Sequence, residues 1–345
     1  MGEQHLLSNG PLLDHNGDLA EAGYAHTLVK GYDRAAIKAP KWRIKEWDYY
    51  YVGNKDNGLA LTVADNGYMW MVSMTVLDFS MRTDITKSII GWFPLGKLKL
   101  PRDSRIGDVE FENRKKGFSM RFLHQGDKRR LICSLDRFGK NKEMFRCDIL
   151  LQETTKNSMV IATPFKKQGH FYYNQKIVNL MSSGYAKVGE RMIDFNKESF
   201  GVLDWGRGVW TYKNTWFWSF ASGIQDGHKV GWNLGYGFGD TSHASENMLF
   251  VDGKAYKLDD VRMDIPMTSS GKDDFLKPWT FRSKGGEIAL TFTPVYDRHA
   301  DTNVLIIRSN QHQVFGVFSG RFLTEDGPIE IRELPGFAEK VYNRW

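Results

Sequence analysis

Apolar and polar residues alternate along most of the chain with a period of two. Tyr49-Tyr50-Tyr51-Val52, Leu59-Ala60-Leu61-Thr62-Val63 and residues 68–77 are short β-favouring runs, with residues 54–58 and Asp65-Asn66-Gly67 between them. Asn66-Gly67 is a tight-turn sequence, so these runs predict a meander of antiparallel strands. Phe118, Met120 and Phe122 alternate with Ser119 and Arg121, and Phe145, Cys147, Ile149 and Leu151 alternate with Arg146, Asp148 and Leu150. Each pattern predicts a strand with one buried side. Residues 131–135, 159–162 and 171–178 supply further strands.

The second half is richer in aromatics. Trp216, Trp218, Phe220, Ser222 and Ile224 share one strand parity, and His228, Val230, Trp232 and Leu234 share one parity after Asp226-Gly227. This predicts a hairpin, with both rows expected to line an interior. Alternation resumes at residues 248–251, 255–261, 287–295, 304–307, 314–322 and 329–331. The tail at residues 333–342 predicts a short helix, because Phe337 and Val341 stand four apart and would cover one end of the fold.

Many short antiparallel strands must pair or cover their edges. Two barrel-like β domains do so over 345 residues, at roughly 150 residues per domain. The polar interruption Phe165-Lys166-Lys167-Gln168-Gly169-His170 introduces a boundary region at residues 165–190, which divides the chain into domains 1–185 and 186–345. One enlarged β sandwich is the alternative.

Charge and composition narrow the function classes. The 47 Lys and Arg against 41 Asp and Glu leave a charge of +6, but the basic residues form no long arm or recognition helix, so no nucleic-acid partner is expected. No run of about eighteen apolar residues predicts a membrane span, while peripheral membrane contact stays open. The first thirty residues lack a basic leader followed by an apolar run, so the expected location is cytoplasmic. Only two cysteines, Cys133 and Cys147, are present. They read as ordinary buried thiols rather than a disulfide framework.

The richest polar inventory is Asp204, Arg207, His228, Asn233, Asp240, His243, Glu246 and Asn247, interleaved with Trp205, Trp210, Trp216, Trp218 and Trp232. Aromatic walls hold an extended apolar ligand while a few polar groups orient it. Asp204 and Glu246 are the candidate catalytic acids, with His228 and His243 as base or partner. Trp205, Arg207, Trp210, Trp216, Trp218, Trp232, Asn233, Asn247 and Arg282 are the candidate ligand-binding residues. A purely structural account competes: Arg207 pairs with Asp204, Asn233 satisfies a turn, and Glu246 pairs across strands. The spacing of His228, Asp240, His243 and Glu246 forms neither a zinc-binding helix nor an oxygen-rich loop, so no metal is expected. Gly235-Tyr236-Gly237-Phe238-Gly239 leads into no helix, so it reads as close strand approach or a sharp turn rather than a nucleotide site. No cofactor is expected. Ser219 and Ser222 lack a hydrolase motif.

The segment Phe200-Gly201-Val202-Leu203-Asp204-Trp205-Gly206-Arg207-Gly208-Val209-Trp210 resembles the DUF2804 family. The resemblance continues through Gly231-Trp232-Asn233-Leu234-Gly235-Tyr236-Gly237, Ser245-Glu246-Asn247, Lys257-Leu258-Asp259-Asp260-Val261, Phe315-Gly316 and Gly336-Phe337-Ala338-Glu339. It extends to Pro11-Leu12-Leu13 and Gly31-Tyr32-Asp33-Arg34, and so covers nearly the whole chain. That family is remotely similar to double lipocalin-like proteins that include carotenoid hydratases and cyclisation enzymes, and its usual setting is bacterial. The resemblance implies an all-β chain of two lipocalin-like antiparallel β-barrel domains and a hydrophobic or isoprenoid-like small-molecule ligand. It transfers no catalytic motif residue by residue. Three functions therefore stay in view: binding such a ligand, hydratase, isomerase or cyclase chemistry on a largely apolar substrate, and a noncatalytic structural or interaction role.

Overall fold

The computed structural model describes residues 4–304 and 307–344. In chain order the first strands are β1 (Gly10–Pro11), β2 (Gly23–Ala25), β3 (Lys30–Gly31), β4 (Lys45–Gly53), β5 (Asn57–Asp65), β6 (Met69–Asp78), β7 (Thr83–Trp92) and β8 (Val109–Asn113). There follow β9 (Phe118–Gln125), β10 (Lys128–Leu135), β11 (Phe145–Gln152), β12 (Met159–Pro164), β13 (Phe171–Val188), β14 (Arg191–Phe195) and β15 (Phe200–Val209). The remainder are β16 (Lys213–Gln225), β17 (His228–Tyr236), β18 (Met248–Val251), β19 (Lys254–Lys257), β20 (Val261–Asp264), β21 (Trp279–Ser283), β22 (Ile288–Val304), β23 (Ile307–Thr324) and β24 (Gly327–Arg344). Of the segment expected as a strand at 304–307, residues 305 and 306 lie outside the described residues.

Two large sheets form. The first runs in the order β7-β6-β5-β4-β15-β13-β11-β10-β9-β8, with β2, β12 and β14 attached, and the second runs β19-β18-β17-β16-β24-β23-β22-β21-β20. Sheet membership changes between Val209 and Lys213. The all-β class holds, but the expectation of closed barrels does not. β7 and β8, at the two ends of the first path, do not pair, and neither do β19 and β20 at the ends of the second. These are curled, open half-barrels. Closure needs edge strands that meet in a continuous register, and β19 and β20 are only 4 residues each.

The expected C-terminal helix is also absent. Residues 333–342 belong to β24, an 18-residue strand between β16 and β23. Phe337 and Val341 do share a face, because an even separation puts two residues on the same side of a strand just as i,i+4 does on a helix. Two neighbouring strands offer the backbone ladder partners on both sides, and that decides the conformation. The helical segments among the described residues are 3-10 turns of 3 residues each, at Arg34–Ala36, Lys41–Arg43 and Arg114–Lys116. No helix among them is long and apolar enough to cross a membrane.

Three apolar cores follow from this arrangement. One fills the first half-barrel and includes Leu203, Trp205 and Val209. A second fills the other half-barrel around Trp232, Trp279, Phe281 and Phe318. The third lies between the sheets and joins Tyr51, Tyr172, Trp210, Trp218, Phe220, Phe238, Phe315 and Phe337. The two thiols stand opposite each other across β10 and β11, both buried and unbridged.

Candidate functional site

Strand parity sorts the candidate residues between these cores. In the first sheet Asp204 pairs in register with Tyr49 on β4 and with Lys176 on β13, so the three share a face. Tyr172 and Asn174 share it too, and it turns toward the second sheet. In the second sheet Trp218 stands opposite Glu339 on β24 and Gly235 on β17. Phe220 stands opposite Phe337 and Asn233. That face looks back at the first sheet, with Tyr49 edge-on to Trp218 at 6.1 Å and Tyr51 edge-on to Phe337 at 5.4 Å.

Three carboxylates gather in this seam around one ammonium. Lys176 Nζ lies 2.9 Å from Asp204 Oδ1 and 4.0 Å from the Trp218 ring. Asn174 Nδ2 donates to Asp204 Oδ1 at 2.7 Å. Trp216 Nε1 donates to Glu339 Oε1 at 2.9 Å, and Gln313 Nε2 donates to Glu339 Oε2 at 3.3 Å and to Tyr49 Oη at 3.1 Å. Trp218 Nε1 donates to Asn233 Oδ1 at 2.6 Å, and Asn233 Nδ2 donates to the Glu246 backbone carbonyl at 2.7 Å. Asp204, Glu246 and Glu339 are each only 8% exposed. Gly235 matters here because a side chain at that position would collide with the Glu246 carboxyl.

Burial sets the protonation of this group. Desolvation pushes the Glu339 carboxyl up to about 7, against the opposing pull of the Trp216 hydrogen bond and the charge of Lys176. Desolvation also raises Glu246, opposed by Lys176 and Asn233 and reinforced by Asp204. The Tyr172 hydroxyl is raised by burial, and the charges of Asp204, Glu246 and Glu339 push it further in the same direction. The seam thus holds one carboxyl, Glu339, raised to about 7 and a second, Glu246, raised by burial, beside the Asp204–Lys176 ion pair and walled by aromatic rings.

The glycine-rich turn serves the same seam. Gly237 and Gly239 adopt φ values of 92° and 84°, in the left-handed region glycine favours. Between them Phe238 inserts against Tyr172 at 4.8 Å, Trp216 at 5.4 Å and Trp210 at 5.4 Å. Trp210 in turn packs edge-on to Trp47 at 5.1 Å.

The sequence model of DUF2804, described as a domain of unknown function, matches residues 3–345. The chain belongs to that family. No functionally curated protein matches it. Among solved structures, this DUF2804 chain is similar to a protein from Nitrosomonas europaea provisionally named AttH, at 11% identity and a TM-score of 0.54, over 92% of this chain and 98% of that one. Kievitone hydratase from Nectria haematococca aligns at 10% identity and a TM-score of 0.46, over 87% and 88% of the two chains. CghA with Sch210972 aligns at 9% identity and 0.40, again over 87% and 88%. At such identities the first likeness concerns the fold alone.

The remaining candidates of this DUF2804 chain lie elsewhere. His228 sits at an exposed hairpin end with Nδ1 2.6 Å from Asp252 Oδ2. His243 is exposed, and its backbone carbonyl accepts from the His5 N–H at 2.9 Å. Neither reaches the seam. Arg207 is fully buried on the opposite face of β15, where it meets Asp48 Oδ1 at 2.9 Å and the carbonyls of Trp47 and Pro101. Trp205 packs beneath that guanidinium at 4.2 Å inside the first half-barrel. Trp232 fills the second half-barrel and donates to Ser219 Oγ at 3.3 Å, so the two aromatic rows of the hairpin line opposite faces rather than one interior. Asn247 is engaged with the Gly235 N–H and the Asp259 carbonyl. Arg282 is exposed on β21.

Sequence reasoning missed Lys176, Glu339, Tyr49, Asn174 and Gln313 as site residues. One signal was available. Tyr172, Asn174, Lys176 and Val178 alternate as a row in which two polar residues interrupt an apolar face, and Phe337, Glu339 and Val341 do the same.

Proposed function

We propose that this protein binds a largely apolar, unsaturated small molecule in the aromatic seam between its two sheets and donates a proton to it from Glu339. The observation that carries this reading is the Glu339 carboxyl, raised to about 7 by burial, hydrogen-bonded by Trp216 and grouped with Asp204, Glu246 and Lys176. A general acid works best when its pKa lies near the working pH. Transfer of the Glu339 proton to one alkene carbon uses the π pair to form a C–H bond and leaves a cation on the neighbouring carbon. Aromatic faces stabilise such a cation, and the seam already holds one over Trp218, the Lys176 ammonium at 4.0 Å. Attack by water, or loss of an adjacent proton, returns a proton to the Glu339 carboxylate and yields a hydrated or isomerised product. Attack by a second alkene of the same molecule closes a ring and moves the cation to a new carbon, which then loses an adjacent proton to the Glu339 carboxylate. Asp204, paired with Lys176, supplies fixed negative charge beside the path.

Binding without turnover is the second reading. Its supporting observation is that Asp204, Glu246 and Glu339 each already accept a hydrogen bond from the protein. One experiment separates the two. Protein purified from its native cells is extracted and its bound lipids identified by mass spectrometry, and the recovered molecule is then incubated with wild type and Glu339→Gln in heavy water. Catalysis predicts a product carrying carbon-bound deuterium with wild type and none with the variant. Recapture of the molecule unchanged by both proteins supports the carrier, and failure to recover or recapture any apolar molecule overturns both.

A further inference from the structure

Two segments rich in basic residues and free of acids meet at one end of the first sheet. Residues 34–45 contain Arg34, Lys38, Lys41, Arg43 and Lys45, residues 85–102 contain Lys87, Lys97, Lys99 and Arg102, and neither contains Asp or Glu. Of these Arg34 pairs with Glu46, Arg102 pairs with Asp33 and Lys45 is buried, which leaves the exposed lysines to carry the surface charge. The turn at Gly67 and Tyr68 joins the two segments. The Phe93 N–H donates to the Tyr68 carbonyl at 2.8 Å and the Leu95 N–H to the Gly67 carbonyl at 3.3 Å. The Trp42 carbonyl lies so close to Gly67 that a side chain there would collide with it.

Large apolar side chains point outward here. Trp92 is 66% exposed, Phe93 63%, Trp42 49%, Ile90 48% and Leu95 38%. Phe93 and Leu95 hold φ values of 50° and 54°, a left-handed conformation that bulky residues seldom adopt. Such strain persists where the surrounding structure enforces it, commonly at ligand-contacting segments. Lys38, Lys41, Lys97 and Lys99 are exposed in the same two segments.

We propose that this end of the first sheet docks on an anionic membrane surface. Tryptophan and phenylalanine insert at the level of lipid headgroups, and lysines around them are attracted to acidic phospholipids. A protein partner is the poorer fit, because the cores of protein interfaces are depleted in lysine.

The surface is also linked to the seam by a chain of side-chain contacts. Arg43 lies 5.3 Å from the Trp42 ring and donates to the Trp210 carbonyl at 3.2 Å. Lys45 Nζ lies 4.5 Å from the Tyr68 ring and 5.7 Å from Trp210. From Trp210 the contacts run through Phe238 to Trp216, which holds Glu339. Apolar molecules partition into bilayers, so the membrane becomes the source of the ligand. That last step rests on the function proposed above, whereas the docking surface stands on its own residues.

Vesicle co-sedimentation tests the surface. Wild type is expected to sediment with vesicles of phosphatidylglycerol and phosphatidylcholine, to stay in solution with phosphatidylcholine alone, and to be released by high salt. Trp92→Ser with Phe93→Ser, and separately Lys97→Glu with Lys99→Glu, should each weaken partitioning at least about tenfold while the circular dichroism spectrum is kept. Glu339→Gln should bind vesicles like wild type, so that failure of the seam chemistry and failure of docking are read separately. Wild type remaining in solution with the anionic vesicles, or unaltered binding by both double variants, overturns the proposal. So does wild-type self-association abolished by the Trp92 and Phe93 changes without any vesicle binding, which would assign the surface to a second copy of the chain.

Discussion

Asp204 and Arg207, three positions apart on β15, face opposite sides of the first sheet and serve different partners. Arg207 locks the inside of the half-barrel to Asp48, and Asp204 meets Lys176 in the seam. A separation of three aligns residues on a helix but opposes them on a strand. The paired Asp204 and Arg207 of the structural account is therefore replaced by two ion pairs on two faces.

The first prediction concerns that seam pair. Lys176→Met leaves Asp204 buried beside two other carboxyls, and removal of one partner of a buried pair costs about 3–5 kcal/mol. Denaturant unfolding should show this loss. Adding Asp204→Asn to the same protein should recover a large part of it, and a double variant as unstable as the single one would show that Lys176 acts chiefly through packing on Trp218.

Glu339 should leave a pH signature on stability. Its carboxyl is raised from an ordinary 4.5 to about 7, so the folded state holds the proton more tightly than the unfolded chain does. Stability is then greatest below about 4.5, falls as pH rises through about 7, and levels off above, for a total near 3 kcal/mol. The difference between wild type and Glu339→Gln, measured by urea unfolding from pH 4 to 8, should trace this slope. A difference independent of pH would place Glu339 in a water-filled setting.

Trp216→Phe removes the indole hydrogen bond that favours the charged form of Glu339. Carboxyl carbon NMR should then find the Glu339 titration moved to higher pH. A downward movement would mean that the indole chiefly excludes water.

The aromatic rows should behave differently when truncated. Trp232→Ala empties the core of the second half-barrel and should cost about 3–5 kcal/mol. Trp218→Ala removes a wall of the seam and the ring beneath Lys176, so it should abolish capture of an apolar ligand. Trp232→Ala should leave capture intact wherever the protein remains folded. Ligand capture measured on both variants at low temperature checks the contrast.

His228→Ala and His243→Ala should be nearly silent. Both side chains are exposed and distant from the carboxylates, and surface substitutions of this kind stay within about 0.5 kcal/mol. A large loss of ligand capture or turnover in either variant would relocate the site to the rim.

Much of this fold is local enough to be read along the chain. Alternation located the strands around Tyr49 to Val52, Phe118 to Phe122 and Phe145 to Leu151, and Asp226-Gly227 does close the hairpin between β16 and β17, with φ values of 51° and 86° suited to such a turn. Period two also separated Trp216 and Trp218 from their neighbours, because the backbone itself forces successive side chains to opposite faces. What lies across from each face is a different matter. The tail that spacing alone made helical became a strand once β16 and β23 offered it partners. The barrels stayed open because their edge strands do not meet, Lys176 came to Asp204 by pairing of β13 with β15 within the first sheet, and Glu339, 135 positions beyond Asp204 in the chain, joined them only when the two sheets packed. Parity is a property of one strand, and burial, pairing and the raised acid are properties of the space between two.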